Sequence, residues 1–165
     1  MPILDEHTLE FFSRSAAQTR RIGMRLGGFL EPSDVVCLQG DLGAGKTTLV
    51  QGMAQGWGSL DPVSSPTFIL VNEYRRSDGC RLFHMDAYRL GSGAEAAELD
   101  IDWMLAEGAL VVEWPERVPG ILPDQTLMIG FEYIAEEQRQ MRFNARGARY
   151  DRVIAQLQRT MFGVA

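Results

Sequence analysis

Apolar residues fall in short runs broken by polar and glycine-rich stretches, and the runs carry two different periods. Val35 to Leu38 and the segment ALVVE at residues 109–113 are continuous apolar stretches bounded by turn residues, the pattern of strands buried on both faces. Phe68 to Tyr74 and Arg81 to Met85 read as strands around a polar turn at Arg76 to Gly79. They lie too close for a parallel crossover, so they pair antiparallel and the sheet is mixed. Thr126 to Phe131 and Met141 to Ala145 alternate around an acidic turn at Glu136 and Glu137, predicting a terminal antiparallel pair. Helical spacing marks four further segments. Residues 1 to 12 begin extended, and Ser13 is placed to cap a helix running to Leu26, with Gly27 and Gly28 as its stop. Residues 46 to 57 form a helix ended by Gly56 to Gly58. Ala94 to Ala106 reads as a solvated acidic helix with Leu99, Trp103 and Leu105 as its apolar contacts. Tyr150 to Met161 buries Val153, Ile154, Leu157 and Met161. The class is α/β.

The junction of the first buried strand with the helix after it holds the chemistry. Gly40, Gly45, Lys46 and Thr47 fit the phosphate-loop pattern G-x-x-x-x-G-K-[ST]. A polyphosphate needs several N–H donors converging on it, so the loop must wrap with few Cβ atoms in the way, which suits Gly40, Gly43 and Gly45. Lys46 reaches the β- and γ-phosphates, the Thr47 hydroxyl faces magnesium, and the helix N-terminus adds free amides. Lys46 is also the only lysine in the chain. Strand, loop and helix together predict a three-layer P-loop NTPase-like fold around a mixed, mainly parallel central sheet, with residues 1–165 as a single P-loop ATPase domain.

Composition narrows the setting. A chain of 165 residues, 45% of them hydrophobic, suits one globular domain. The start MPILDEHTLEFFSRS is acidic and mixed, and no apolar run approaches a membrane span, so a cytoplasmic enzyme is expected. The two cysteines, Cys37 and Cys80, suggest neither a disulfide framework nor a metal cluster. A net charge of -6 argues against a broad nucleic-acid-binding face, so any role in nucleic-acid metabolism runs through a protein partner.

Other positions carry chemistry beside a bland alternative. Thr67, in the loop Ser64-Ser65-Pro66-Thr67, has the chemistry to sense a γ-phosphate, although a simple turn uses the same residues. Asp86 ends the second strand of the hairpin, where a carboxylate can hold magnesium directly or through water. Glu113 closes the strand at 109–113, where it can bind a metal water or orient the attacking one, or merely emerge into solvent. Trp114 can cover the nucleotide, meet a partner or simply pack. Thr19 precedes the phosphate strand and can line a base pocket or be an ordinary helix residue. His84 lies outside any Cys/His cluster, so a hydrogen-bonded structural or supporting histidine describes it better than a zinc ligand.

The run from Gly40 to Thr48, Ser65-Pro66-Thr67-Phe68 after Val63, His84-Met85-Asp86 with Tyr88-Arg89-Leu90, and Glu113-Trp114-Pro115-Glu116 together resemble the TsaE family over residues 15 to 118. These are bacterial phosphate-loop ATPases required for threonylcarbamoyladenosine modification of transfer RNA. The resemblance implies ATP and Mg2+ as cofactors, and TsaB- and TsaD-type proteins as partners, with transfer RNA met only through their complex. By motif match, Asp41, Leu42, Gly43, Ala44, Gly45, Lys46, Thr47 and Thr48 bind the nucleotide, and Thr47, Asp86 and Glu113 serve the metal. Thr67 belongs to a switch-like loop, and Lys46, Glu113, Asp86 and Thr67 form the catalytic set. Trp114 matches the family's tryptophan, and Thr19 with Gly23 matches its N-terminal T-x-x-x-G pattern. Met85 stands where phenylalanine is frequent, a conservative apolar change. A small-molecule kinase would use the same loop to phosphorylate an acceptor, but no lid insertion is evident. A GTP-binding module would need an N-K-x-D pattern, which a chain with one lysine at position 46 cannot contain. A scaffold that holds nucleotide without hydrolysing it stays open.

Overall fold

Strands Val35–Gln39 (β3) and Gly108–Glu113 (β6) lie side by side, parallel, at the centre of the molecule, as their unbroken apolar runs require. The computed structural model describes residues 3–41, 45–61, 71–89 and 99–162. Leu42, Gly43, Ala44, Thr67 with its loop, and the first part of the acidic tract at 94–98 lie outside the described residues.

Around this pair the sheet has the order β1-β2-β8-β7-β3-β6-β5-β4. The other strands are β1 (Ile3–Asp5), β2 (Thr8–Ser13), β4 (Val71–Arg75), β5 (Arg81–Asp86), β7 (Thr126–Ala135) and β8 (Gln138–Arg146). The parallel part is the middle, where β7, β3, β6 and β5 run together. Antiparallel pairing adds β4 at one edge, and β8, β2 and β1 at the other. Both expected hairpins are present, β4–β5 and β7–β8.

Helices Ala16–Phe29 (α1), Lys46–Trp57 (α2) and Ala148–Phe162 (α4) cover one face, where Ile22, Leu26, Leu49, Met53, Val153 and Leu157 meet Leu38, Val111 and Phe143. Helix Ile101–Glu107 (α3) covers part of the other, with Ile101 and Met104 on Phe83, Met85, Leu110 and Val112. The period-2 alternation within β6 explains this division: Ala109 and Val111 join the first core, Leu110 and Val112 the second. Among the described residues no helix is long and apolar enough to cross a membrane.

Two details of α1 differ from the sequence expectation. Ser13 stays in β2, opposite Arg139, and donates to the Ser15 carbonyl; Ser15 is the cap, its hydroxyl accepting from Gln18 N–H at 3.1 Å. Nor does Gly27 stop the helix, which continues to Phe29. Gly27 is a packing position: a Cβ there would collide with the Met53 carbonyl of α2. Gly23, Gly52 and Gly56 play the same part against Leu49, Arg20 and Met24, so backbone meets backbone along the α1–α2 seam.

Candidate functional site

The loop that follows β3 begins at Gly40, with φ 150°, and hands over to α2 at Gly45, with φ 103°. Both values lie outside the comfortable range of L side chains, so the glycines that define the sequence motif are also demanded by the backbone. The site borders on β7 and β8 as well. A Cβ on Gly45 would sit 3.5 Å from Arg139 Cγ and 3.9 Å from Phe131 Cδ2.

Lys46 is the first residue of α2 and only 4% exposed. Its ammonium donates to the Gly40 carbonyl at 2.6 Å and lies 4.0 Å from the centroid of the Trp114 ring. Burial pulls its pKa below the ordinary lysine value, while the negative charges of Glu113, Asp86, Glu116 and Asp41 pull the other way. The surrounding carboxylates keep Lys46 charged despite its burial, which lets its ammonium meet an anion. Thr47 is exposed and Thr48 half-buried on the same first turn, and Asp41 is exposed at the loop entrance.

Two carboxylates end neighbouring strands. Asp86 closes β5 and Glu113 closes β6, and the parallel register sets them opposite each other, with Leu38 of β3 opposite Glu113 on its other side. Ligand sites in α/β sheets gather at such carboxyl ends. Asp86 is half-buried and accepts from Tyr88 N–H at 3.0 Å. Glu113 is 7% exposed and bonded to His84 at 2.6 Å. Among the described residues no group of three His, Cys, Asp or Glu side chains forms a metal cage. Magnesium keeps several waters and leans on phosphate, needing one or two carboxylates, so the donor set Thr47, Asp86 and Glu113 fits it.

Trp114 adopts a left-handed backbone, φ 59° and ψ 53°, with its N–H donated to the Leu38 carbonyl at 3.2 Å. That conformation costs about 1 kcal/mol or more for a bulky residue. It lays the ring over Lys46 and against Tyr88 at 5.0 Å, with the Arg117 guanidinium over the Tyr88 ring at 4.9 Å. Tyr88 belongs to the motif that follows Asp86, whereas Arg117 carries no signal in linear spacing; the two are neighbours because β5 and β6 end together. Thr19 stands apart from this group. It is 2% exposed, and its hydroxyl is 2.7 Å from that of Ser13.

A cleft of about 420 Å3 opens beside Gly40, lined in part by Gln39, Gly130, Phe131 and Arg142. Hollows of about 490 and 620 Å3 lie elsewhere, the first around Asp34 and Arg149 and the second around Asp151 and Ile154. Volume therefore does not locate the chemistry; the convergence of Lys46, Asp86 and Glu113 on the end of β3 does.

Comparison with known proteins places the whole chain rather than single residues. The family model described as threonylcarbamoyl adenosine biosynthesis protein TsaE matches residues 13–141. The chain is 38% identical over 143 residues to the tRNA threonylcarbamoyladenosine biosynthesis protein TsaE of Bacillus subtilis, covering 86% of this chain and 89% of that protein. It is 40% identical over 132 residues to the protein of the same name from Synechocystis, covering 74% and 79%. The crystal structure of Bacillus subtilis YdiB superposes with a TM-score of 0.76 at 31% identity, over 93% of this chain and 95% of that one. A family model over residues 13–141 and relatives 38–40% identical across most of both chains show that the chain belongs to the TsaE family.

Proposed function

We propose that this protein hydrolyses magnesium-ATP as the ATPase of tRNA N6-threonylcarbamoyladenosine biosynthesis, supporting a transferase complex of TsaB- and TsaD-type partners in the cytoplasm. The observation that carries the reading is the buried Lys46 at the mouth of the loop, facing two strand-end carboxylates held in register.

Each residue is given a task that its chemistry suits. The loop from Asp41 to Thr48 wraps the phosphates with its amides, and Lys46 exchanges its Gly40 carbonyl for β- and γ-phosphate oxygens. Thr47 and Asp86 hold the magnesium ion, which when bound neutralises charge on the β- and γ-oxygens. Glu113 orients the attacking water and accepts its hydrogen bond, while the Trp114 ring, 4.0 Å from the ammonium, packs against Lys46. Thr67, outside the described residues, is assigned the γ-phosphate contact on its chemistry and its family motif alone, whereas Thr19, buried and bonded to Ser13, is given no contact with the nucleotide.

The deciding experiment measures phosphate release from magnesium-ATP by the purified protein, alone and with a matching TsaB–TsaD pair, with Lys46→Ala as control. Slow turnover that rises with the pair and disappears in Lys46→Ala is the expected result. Turnover unchanged in Lys46→Ala refutes the phosphate-loop assignment. ADP formation that requires a small acceptor, with a phosphorylated product, replaces the ATPase with a kinase.

A further inference from the structure

Glu113 does not hold its place by backbone position alone. Its Oε2 lies 2.6 Å from Nε2 of His84, and the pair is buried, with Glu113 7% and His84 1% exposed. The sheet makes the contact. In the parallel β5–β6 register His84 is opposite Val111 and Asp86 is opposite Glu113. Residues 82 and 84 of β5 and residues 109, 111 and 113 of β6 share the face covered by α1 and α2, so His84 and Glu113 are diagonal neighbours.

The second ring nitrogen settles how the hydrogen bond is made. Nδ1 of His84 is buried and makes no hydrogen bond among the described residues. A hydrogen on Nδ1 would be a buried N–H with no acceptor, and Nε2 would then turn a lone pair toward the carboxylate; both are unfavourable. The hydrogen therefore sits on Nε2 and is donated to Glu113. Among the described residues the ring makes one hydrogen bond, spent on one carboxylate oxygen of Glu113 from the interior side.

We infer that His84 is a positioning residue for Glu113: its Nε2–H holds Oε2 and so turns Oε1 toward the phosphate loop, where the attacking water is received. His84 itself touches no reacting atom. The inference rests on the water-orienting role of Glu113 proposed above. What it adds is that the carboxylate's orientation is set by a residue 29 positions away in sequence, and that loss of this bond lowers the hydrolytic step without lowering affinity for nucleotide.

The test compares His84→Leu, which fills the space without a donor, and His84→Gln, which keeps an N–H at similar reach, with Glu113→Gln and the His84→Leu/Glu113→Gln double variant. Single-turnover hydrolysis, binding of a fluorescent ATP analogue and thermal unfolding are measured on each. The imidazole nitrogens of the nucleotide-free protein are observed by 15N NMR. Supporting partners cost about 10- to 100-fold when removed, so His84→Leu should slow hydrolysis about tenfold while nucleotide affinity stays within about twofold. It should add nothing in the Glu113→Gln background, and His84→Gln should recover most of the rate. The NMR spectrum should show hydrogen on Nε2 and none on Nδ1, with the Nε2 signal moving in Glu113→Gln. Hydrogen found on Nδ1, a full rate in His84→Leu, or a His84→Gln variant that folds normally yet is as slow as His84→Leu overturns the inference. If Glu113→Gln is slow and His84→Leu is not, the positioning role alone fails. Full hydrolysis in Glu113→Gln overturns the Glu113 reading and this inference with it.

Discussion

At the scale of single residues, burial decides which groups are chemically active. Lys46 and Glu113 are both nearly inaccessible, yet each keeps polar contacts, Lys46 to Gly40 and Glu113 to His84. That is the condition under which charged groups persist in an interior. Replacing Glu113 by Gln should lower hydrolysis at least about 100-fold, the scale of a lost catalytic proton acceptor. Nucleotide binding measured by fluorescence should change only a few-fold, because Gln keeps the shape and the loop is untouched. Equal losses in both would make Glu113 a metal or folding residue instead. Cys37 shows the opposite case. Burial pushes its thiol up to about 12, so its reactive thiolate is suppressed at neutral pH. Alkylation of the native protein at pH 8 followed by mass spectrometry should label the half-buried Cys80 and spare Cys37 until the fold is denatured. Lys46, Asp86 and Glu113 were legible in the sequence because a motif, a strand end and a following proline are local features. A hydrogen-bonded, supporting His84 was legible as well, but its partner was not, since Glu113 comes from the next strand of the sheet and only the register brings the two together.

Among elements, the α1–α2 pair illustrates how close packing constrains composition. Gly27 reads as a helix stop from its helix-breaking tendency but lies within α1, whereas α2 ends as expected at Trp57 with Gly58 as its cap; at Gly27 and at Gly56 inside α2 the absence of a side chain lets the partner's backbone approach. Tertiary packing overrides propensity here. Gly56→Ala places a Cβ on the Met24 carbonyl and forces the helices apart. Overpacking of this kind costs about 1–3 kcal/mol, so the urea midpoint should fall. An unchanged midpoint would mean that the seam relaxes freely. A second contact joins the N-terminal hairpin to α4, where His7 Nδ1 lies 2.7 Å from Asp151. That hydrogen bond raises the histidine pKa above its ordinary value in the folded protein. The stabilisation is therefore complete below the unfolded-state pKa and is lost as pH rises through the higher folded value. In an NMR titration, Asp151→Asn should return the His7 midpoint toward that of free imidazole; a midpoint that does not move would show that the pair is not formed in solution.

Over the whole molecule, the C-terminal helix is tied to the root of the phosphate strand. Arg149 of α4 binds Asp34 at 2.8 Å and the Phe29 carbonyl at 2.6 Å, and the Tyr150 hydroxyl accepts the Val35 N–H at 2.8 Å. Tyr150→Phe leaves that buried N–H without a partner, which costs about 1–3 kcal/mol. Thermal unfolding should shift down accordingly, while phosphate release at low temperature stays near that of the parent. A loss of hydrolysis without a loss of stability would instead couple α4 to the site. The amino-acid sequence by itself determined the α/β class, the phosphate loop between β3 and α2, the β4–β5 and β7–β8 hairpins and the carboxylates that end β5 and β6. Those features are written in hydrophobic period, glycine placement and spacing within a few residues, which is the range over which backbone sterics and side-chain patterning act. Tertiary structure alone decided that α1 and α2 meet glycine to glycine, that Trp114 lies over Lys46 and that His84 holds Glu113. Each of these depends on which strands and helices become neighbours across the sheet. That choice is made by the burial of two whole cores, not by any residue's local preference.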